Sequence, residues 1–196
     1  MSAKTPDPDW SAVAMTPRAR AHYEKFLQKY QRYLKRVNEI PLTALVWGPG
    51  TSGGDLYEKR LQIRGRLREV GVAAVFSEEI DSDSPVTDCS SKARELLQAL
   101  SADMIVVVQS SPGSIAEAHD FAGFIKDLGP KMMIFIDKRA EHGYSYTGAL
   151  AELKGHYGNV HCFEYPKDIE ECHLTTSVLE KVSLLRHTKW RQAKVK

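Results

Sequence analysis

The stretch that most limits how this chain folds is Asp103 to Phe121. Met104 to Val108 is a short run of apolar, β-branched-rich residues without alternation, the pattern of a strand buried on both faces, as in a parallel sheet. After it the period changes: Ile115, Ala118, Ala122 and Ile125, with Phe121 beside them, fall on one helical stripe. Between the two lies Gln109-Ser-Ser-Pro-Gly-Ser114, a tight turn of small residues. A strand, a small-residue turn and a helix start leave backbone N–H groups pointing at one space, where an anion or a sugar-phosphate is readily held.

The rest of the chain repeats this alternation. Leu42 to Trp47 is a first strand, followed by Gly48-Pro-Gly-Thr-Ser-Gly-Gly-Asp55 and a helix with Leu56, Arg60, Ile63, Leu67 and Val70 in register, ended by Gly71. Val72 to Phe76 is the second strand, and Ser90 or Asp88 caps a helix over Ala93 to Leu100. Lys131 to Ile136 is the fourth strand, ending at Asp137. A polar loop, Lys138 to Tyr146, leads to a helix around Gly148 to Lys154. Val160 to Phe163 is the fifth strand, and a final helix runs from about Asp168 to Arg186. Five strands alternating with helices predict an α/β fold: a parallel, doubly wound, Rossmann- or flavodoxin-like sheet in the order 2-1-3-4-5. Its ligand crevice lies between the carboxyl ends of strands one and three. That order sets Gly48–Asp55 and Gln109–Glu117 on either side of one cleft.

Outside this frame, residues 1–15 read as a loose arm. Residues 16–40 read as an additional amphipathic helix, opened by a Thr16 cap with Pro17 at the first helical position. The main domain spans 41–187, and 188–196 is a basic tail. The first helix carries Tyr23, Phe26, Tyr30, Tyr33, Leu34 and Val37 on one stripe. Its other face is strongly basic, with Glu24 the single acid between Arg18 and Arg36. A helix packed on the domain edge accounts for this pattern; a contact with a partner subunit or with nucleic acid is the sharper alternative.

Composition narrows the classes. Net charge is +2, from 27 basic and 25 acidic residues, so no global polyelectrolyte signal exists. Three cysteines without close spacing argue against a disulfide scaffold, and scattered histidines argue against a metal site. No apolar run nears the ~18–20 residues that span a bilayer, and the start lacks a signal-peptide pattern. A cytoplasmic protein without a membrane segment, cofactor or bound metal is the expectation.

Two motifs carry chemistry. Gly48, Gly50 and Gly53 fit a Gly-x-Gly-x-x-Gly spacing, but no Gly-Lys-Ser/Thr follows as a P-loop requires. Ser114-x-x-Glu117 has two readings of equal weight: a capping box in which Glu117 bonds back to the cap N–H, and a carboxylate facing the cleft. Asp103, at the amino end of its strand, reads as structural.

Trp47-Gly-Pro after strand one, the Glu-Val-Gly-Val-Ala-Ala-Val-Phe run into strand two and Gly113-Ser-Ile-Ala-Glu117 after strand three resemble the nucleoside 2-deoxyribosyltransferase-like group, akin to TIR domains. The resemblance covers about Leu42 to Phe135. It implies that Gly48 and Pro49 help hold a nucleoside and that Glu117 acts on the anomeric carbon. The chain departs from the group in having Ser110-Ser-Pro where an acidic residue is usual. The implied ligand is a nucleoside, a nucleotide or an NAD-type molecule; the predicted cleft adds Gly50, Ser52, Gly53, Ser111, Gly113 and Ser114 to Gly48 and Pro49 as its contacts, with Asp137 and Tyr144 or Tyr146 from the loop after strand four approaching the base. Glu117 is the catalytic candidate for cleaving or transferring an N-glycosidic bond. A non-catalytic nucleotide sensor of the same fold is the alternative, and an interaction protein using its basic helix, with nucleic acid as the less favoured partner, is the third. A homo-oligomer is expected, with the Tyr-rich stripe as one surface for it.

Overall fold

The computed structural model describes residues 15–83, 90–109, 124–141 and 148–195. They form two compact units: residues 15–40 with 183–195, and Pro41–Val182.

The larger unit is built on a five-stranded, all-parallel sheet in the order β2-β1-β3-β4-β5. Its strands are β1 (Leu42–Trp47), β2 (Val72–Val75), β3 (Met104–Val108), β4 (Met132–Asp137) and β5 (Val160–Phe163). Helices separate them, α2 (Asp55–Glu69), α3 (Ser77–Asp83), α4 (Ser91–Ser101), α5 (Ile125–Leu128) and α6 (Ala149–Tyr157), and α7 (Lys167–Glu170) follows β5. An N-terminal helix, α1 (Pro17–Asn38), precedes the sheet, and α8 (His173–Val195) closes the described chain. This is the doubly wound α/β architecture read from the sequence.

The absence of alternation in β3 has its cause in the layers. Every residue of β3 is buried, because helices cover both sides. Leu45, Trp47, Ile105, Val107, Ile134 and Ile136 project to one face, where they meet Ala99 of α4, Leu128 of α5 and Leu150 and Leu153 of α6. The intervening residues, Val46, Val106, Val108 and Phe135 among them, face the other way, toward the side where α2 packs on β1 and β2 and supplies Ile63 and Leu67. At the amino ends, Asp103 holds β3 to β1. Its carboxylate accepts from the Thr43 amide at 2.9 Å, and its own amide donates to the Thr43 carbonyl at 3.1 Å. Asp103 is thus a strand clamp, remote from the cleft.

Local signals act as expected at several ends. The Thr16 hydroxyl accepts from the Ala19 amide at 3.3 Å and the Ser90 hydroxyl from the Ala93 amide at 3.3 Å, each satisfying an otherwise orphaned helix N–H. The C-terminal helix differs from expectation. Instead of one helix from Asp168 to Arg186, α7 stops at Glu170 and the chain kinks at Cys172, whose φ is 59°. A new helix then starts, the Thr176 amide donating to the Cys172 carbonyl at 3.1 Å. It runs to Val195, so most of the segment read as a tail is helical. No Gly or Pro interrupts that segment, and Lys194 in the last turn complements the helix dipole.

Two charged side chains of α2, Lys59 and Arg60, are buried, and Arg60 lies against the end of β1. β1 outruns β2: the last β1–β2 pair is Leu45 with Val75, whereas β1 continues beside β3 through Trp47. Arg60, 2% exposed, fills the space so left. Its Nε and Nη2 donate to the Val46 carbonyl at 3.0 and 2.9 Å, and Nη1 donates to the Pro49 carbonyl at 3.2 Å. Nη1 and Nη2 also grip Glu78 of α3 at 2.7 and 2.8 Å. All five guanidinium N–H groups are thereby used. One α2 turn on, Arg64 pairs with Glu79, and both guanidinium groups lie over the Phe76 ring, at 3.9 and 4.0 Å.

Burial alone would raise the Glu78 and Glu79 carboxyls. The arginines and nearby backbone N–H groups outweigh it and hold both below their ordinary 4.5. A carboxyl that titrates lower in the folded than in the unfolded chain stabilises fully above the unfolded value and ceases to as pH falls through the folded one. The share of the urea midpoint that these two carboxyls supply is therefore expected to stay level from neutral pH to about 5 and to drop below about 4.5, beneath an earlier decline that begins near 6.5, where the half-buried His161, held low by burial, must take up a proton. Arg60→Met should cost about 3 kcal/mol in urea denaturation, since two carbonyls lose their donors, and should flatten that acid drop. Glu78→Gln, at a side chain 57% exposed, should cost about 1 kcal/mol or less.

Candidate functional site at the carboxyl edge of the sheet

The strand order makes β1 and β3 neighbours, and their carboxyl ends finish together at the Trp47–Val107 pair. The chain leaving β1 passes tightly over the end of β3. A Cβ on Gly48 would lie 2.8 Å from the Val108 carbonyl oxygen and 3.4 Å from Arg60 Cδ, and the φ of Gly48 is +154°. Only glycine fits there. Gly53 is fixed by a different contact, since its Cβ would stand 2.4 Å from Pro49 Cβ. The loop thus folds back on its own proline, and the Gly53 amide donates to the Gly50 carbonyl at 2.8 Å. Gly50 has open space where a side chain would be. Gly48, Pro49, Gly50, Ser52 and Gly53 therefore sit in one short loop at the carboxyl ends of β1 and β3, with Ser52 exposed in its helical turn.

This loop delivers the chain to α2 at Gly54, where no side chain caps the helix. Asp55 occupies the first turn, a position where a carboxylate complements the helix dipole. The Tyr165 hydroxyl, just beyond β5, donates to Asp55 Oδ2 at 2.7 Å, and that bond pushes the Tyr165 hydroxyl above its ordinary pKa. Arg139 lies over the Tyr165 ring at 5.3 Å and is itself held by Asp137 at the end of β4. Hydrogen bonds from Arg139, side chain before backbone, keep the Asp137 carboxyl below its ordinary value. A polar chain, Asp137–Arg139–Tyr165–Asp55, thus ties together the carboxyl ends of β4, β5 and β1. Asp137, read from the sequence as a ligand contact, has both carboxylate oxygens on Arg139.

A cavity of about 460 Å³ opens beside Asp55, between α2 and α7. Asp55, Glu58 and Glu170 line it, with Lys59, Gln62 and Ile169. Lys59 is buried, and its ammonium donates to Gln62 Oε1 at 2.5 Å and faces Cys172 Sγ at 3.8 Å. Carboxylates outnumber the one ammonium, so this wall suits a hydroxyl-bearing or positively charged group better than a phosphate.

At the end of β3, Gln109 is 4% exposed. Its amide N–H continues the ladder by donating to the Phe135 carbonyl at 2.9 Å. Both polar atoms of its side chain are buried and without a hydrogen-bond partner among the described residues. An unsatisfied buried carboxamide costs about 1–3 kcal/mol, which singles the position out. Ser111, Gly113, Ser114, Glu117, Tyr144 and Tyr146 lie outside the described residues.

Sequence reasoning did not assign roles to Arg60, Tyr165, Arg139 or Gln109. Arg60 did stand out as the one charged member of an apolar stripe, the signal by which it could have been found. One group of metal-capable side chains lies close together among the described residues: Asp168, Glu171 and His173, with ligand atoms within 4.8 Å. Asp168 accepts from the Glu164 amide at 2.7 Å and meets His173 Nδ1 at 2.9 Å, while His173 Nε2 lies 3.3 Å from Glu171. That network shapes the turn between β5 and α8. Among the described residues, no helix is long and apolar enough to cross a membrane. No family model and no curated protein matches the chain.

The loop geometry separates its glycines. Gly48→Ala and Gly53→Ala should each destabilise the protein by about 1–3 kcal/mol in urea denaturation. Gly50→Ala should stay within about 0.5 kcal/mol of the parent.

Proposed function

We propose that the cleft at the carboxyl ends of β1 and β3 binds a nucleoside, nucleotide or NAD-type molecule and breaks its N-glycosidic bond. The observation that carries this reading is the adjacency of those two strand ends, with the Gly48 loop in contact with the end of β3. A crevice at that topological switch is where parallel α/β sheets bind such ligands. The uncapped start of α2 and the acidic cavity wall beside it supply N–H donors for oxygens and carboxylates for sugar hydroxyls. The resemblance of Gly113-Ser-Ile-Ala-Glu117 to the deoxyribosyltransferase-like group assigns Glu117 the reacting carboxylate.

In this scheme the Glu117 carboxylate approaches the anomeric carbon as the carbon–nitrogen bond breaks. The bonding pair leaves with the base, which takes up a proton in a nucleoside or nucleotide and leaves already neutral as nicotinamide from NAD⁺, and the carboxylate stabilises or captures the oxocarbenium-like sugar. Water or a second base then completes hydrolysis or transfer. The second reading is a sensor that holds the same ligand intact. Ser110-Ser-Pro in place of the usual acid favours it, because the departing base then lacks a nearby proton donor.

The deciding experiment is incubation of the protein with a panel of nucleosides, nucleotides and NAD⁺, read by mass spectrometry. Base release by the parent, reduced at least about a hundredfold in Glu117→Gln, is the expected result. A thermal shift with one of these compounds but no base release would establish the sensor. Equal turnover by parent and variant would remove Glu117 from the chemistry.

A further inference from the structure

Charge is divided unevenly between the two units. Residues 1–40 and 183–196 hold thirteen Lys and Arg against four Asp and Glu, a net +9 in a chain whose total is +2. The intervening residues are therefore net acidic. In α1 the charge is arranged as a row. Arg18, Lys25, Lys29, Arg32 and Arg36 recur at helical spacing on one face, and all are exposed. None of them forms an ion pair among the described residues. At ~1.5 Å rise per residue, neighbours from Lys25 to Arg36 follow one another every ~4.5–6 Å along the axis.

A line of aromatic rings runs beside this row. Phe26 and Tyr30 are 60% and 47% exposed, so the stripe that suggests a fully packed helix is covered only in part. Their rings are parallel within 6°, with centroids 6.0 Å apart, and Tyr30 in turn stacks with Tyr33 at 6.5 Å. Tyr33 is anchored from behind. Its hydroxyl and His187 Nδ1 are 2.6 Å apart, and its ring meets Trp190 edge-on at 4.6 Å. Lys194 lies over the Trp190 ring at 3.8 Å, adding charge next to the aromatic line.

We propose that this face of α1 binds single-stranded nucleic acid, its bases stacking on Phe26 and Tyr30 and its phosphates following the basic row. Exposed flat rings flanked by unpaired cations are the two components of sequence-tolerant single-strand binding. A duplex fits worse, because its bases are already stacked on one another. Self-association through the aromatic line would bring basic row against basic row. Two exposed rings also offer little apolar area for anchoring in a bilayer. This function is independent of the cleft.

The test is fluorescence anisotropy with a labelled single strand of about 20 nucleotides and the matching duplex across a salt series. The parent should bind the single strand more tightly than the duplex, with affinity falling as salt rises. Phe26→Ala with Tyr30→Ala should weaken single-strand binding at least about fivefold while leaving the salt slope unchanged. Lys25→Gln with Lys29→Gln should make that slope shallower by about 1.4. All four positions are exposed, and circular dichroism confirms that the variants fold. Absence of binding at low salt, equal affinity for duplex, or affinity untouched by the aromatic substitutions would overturn the proposal. So would a basic face that proves instead to bind anionic vesicles, or self-association abolished by the same aromatic changes.

Discussion

The buried guanidinium of Arg60 is the interaction on which the carboxyl edge of the sheet depends. β1 must extend beyond β2 to reach the crevice beside β3, and the extension leaves the Val46 carbonyl without a strand partner on that side. A carbonyl in that position needs a donor that water cannot supply. Arg60 reaches it from α2 and, with the same planar group, fixes the Pro49 carbonyl in the loop and Glu78 in the next helix. A lysine has three N–H donors on one nitrogen and could not make the five bonds that the planar five-donor fork makes here. The loop, the strand end and the start of α3 are therefore one polar assembly, placed next to the crevice.

Much of the architecture is legible in the sequence because it rests on local pattern. The unalternating run Met104–Val108 states that both faces of the strand are covered, and the alternation of such runs with helical stripes leads to the parallel order. Features that depend on distant pairing are less legible. Nothing near Arg60 in the chain reveals that β1 outruns β2 by two residues, so its place in an apolar stripe reads as an irregularity. The kink at Cys172 lacks a glycine or proline to mark it, and without that mark α7 and α8 merge into one helix. Asp137 shows the reverse difficulty. Its place at a strand's carboxyl end suggests a ligand contact, and the sequence does not show that the arginine two residues on also holds its oxygens, which only side-chain geometry reveals.

The two proposed activities draw on different physics. The proposed glycosidic chemistry would rely on a carboxylate and N–H groups acting within a few ångströms of the ligand. The α1 face relies on repetition of charge and ring along a helix, which acts at longer range and weakens with salt. The acidic character of residues 41–182 would keep two such roles apart, because a polyanion would be repelled from the sheet-bearing unit and drawn to the helical one.

The contact between Gly48 and Val108 has a thermodynamic consequence. Many glycine-rich loops must be immobilised by their ligand, and that ordering subtracts from affinity. Here the loop already rests against the end of β3, and Gly53 already rests on Pro49. Association at this rim would start from a preset jaw, so little conformational entropy would be surrendered by residues 48–54, and discrimination between ligands would come from fit rather than from adaptation.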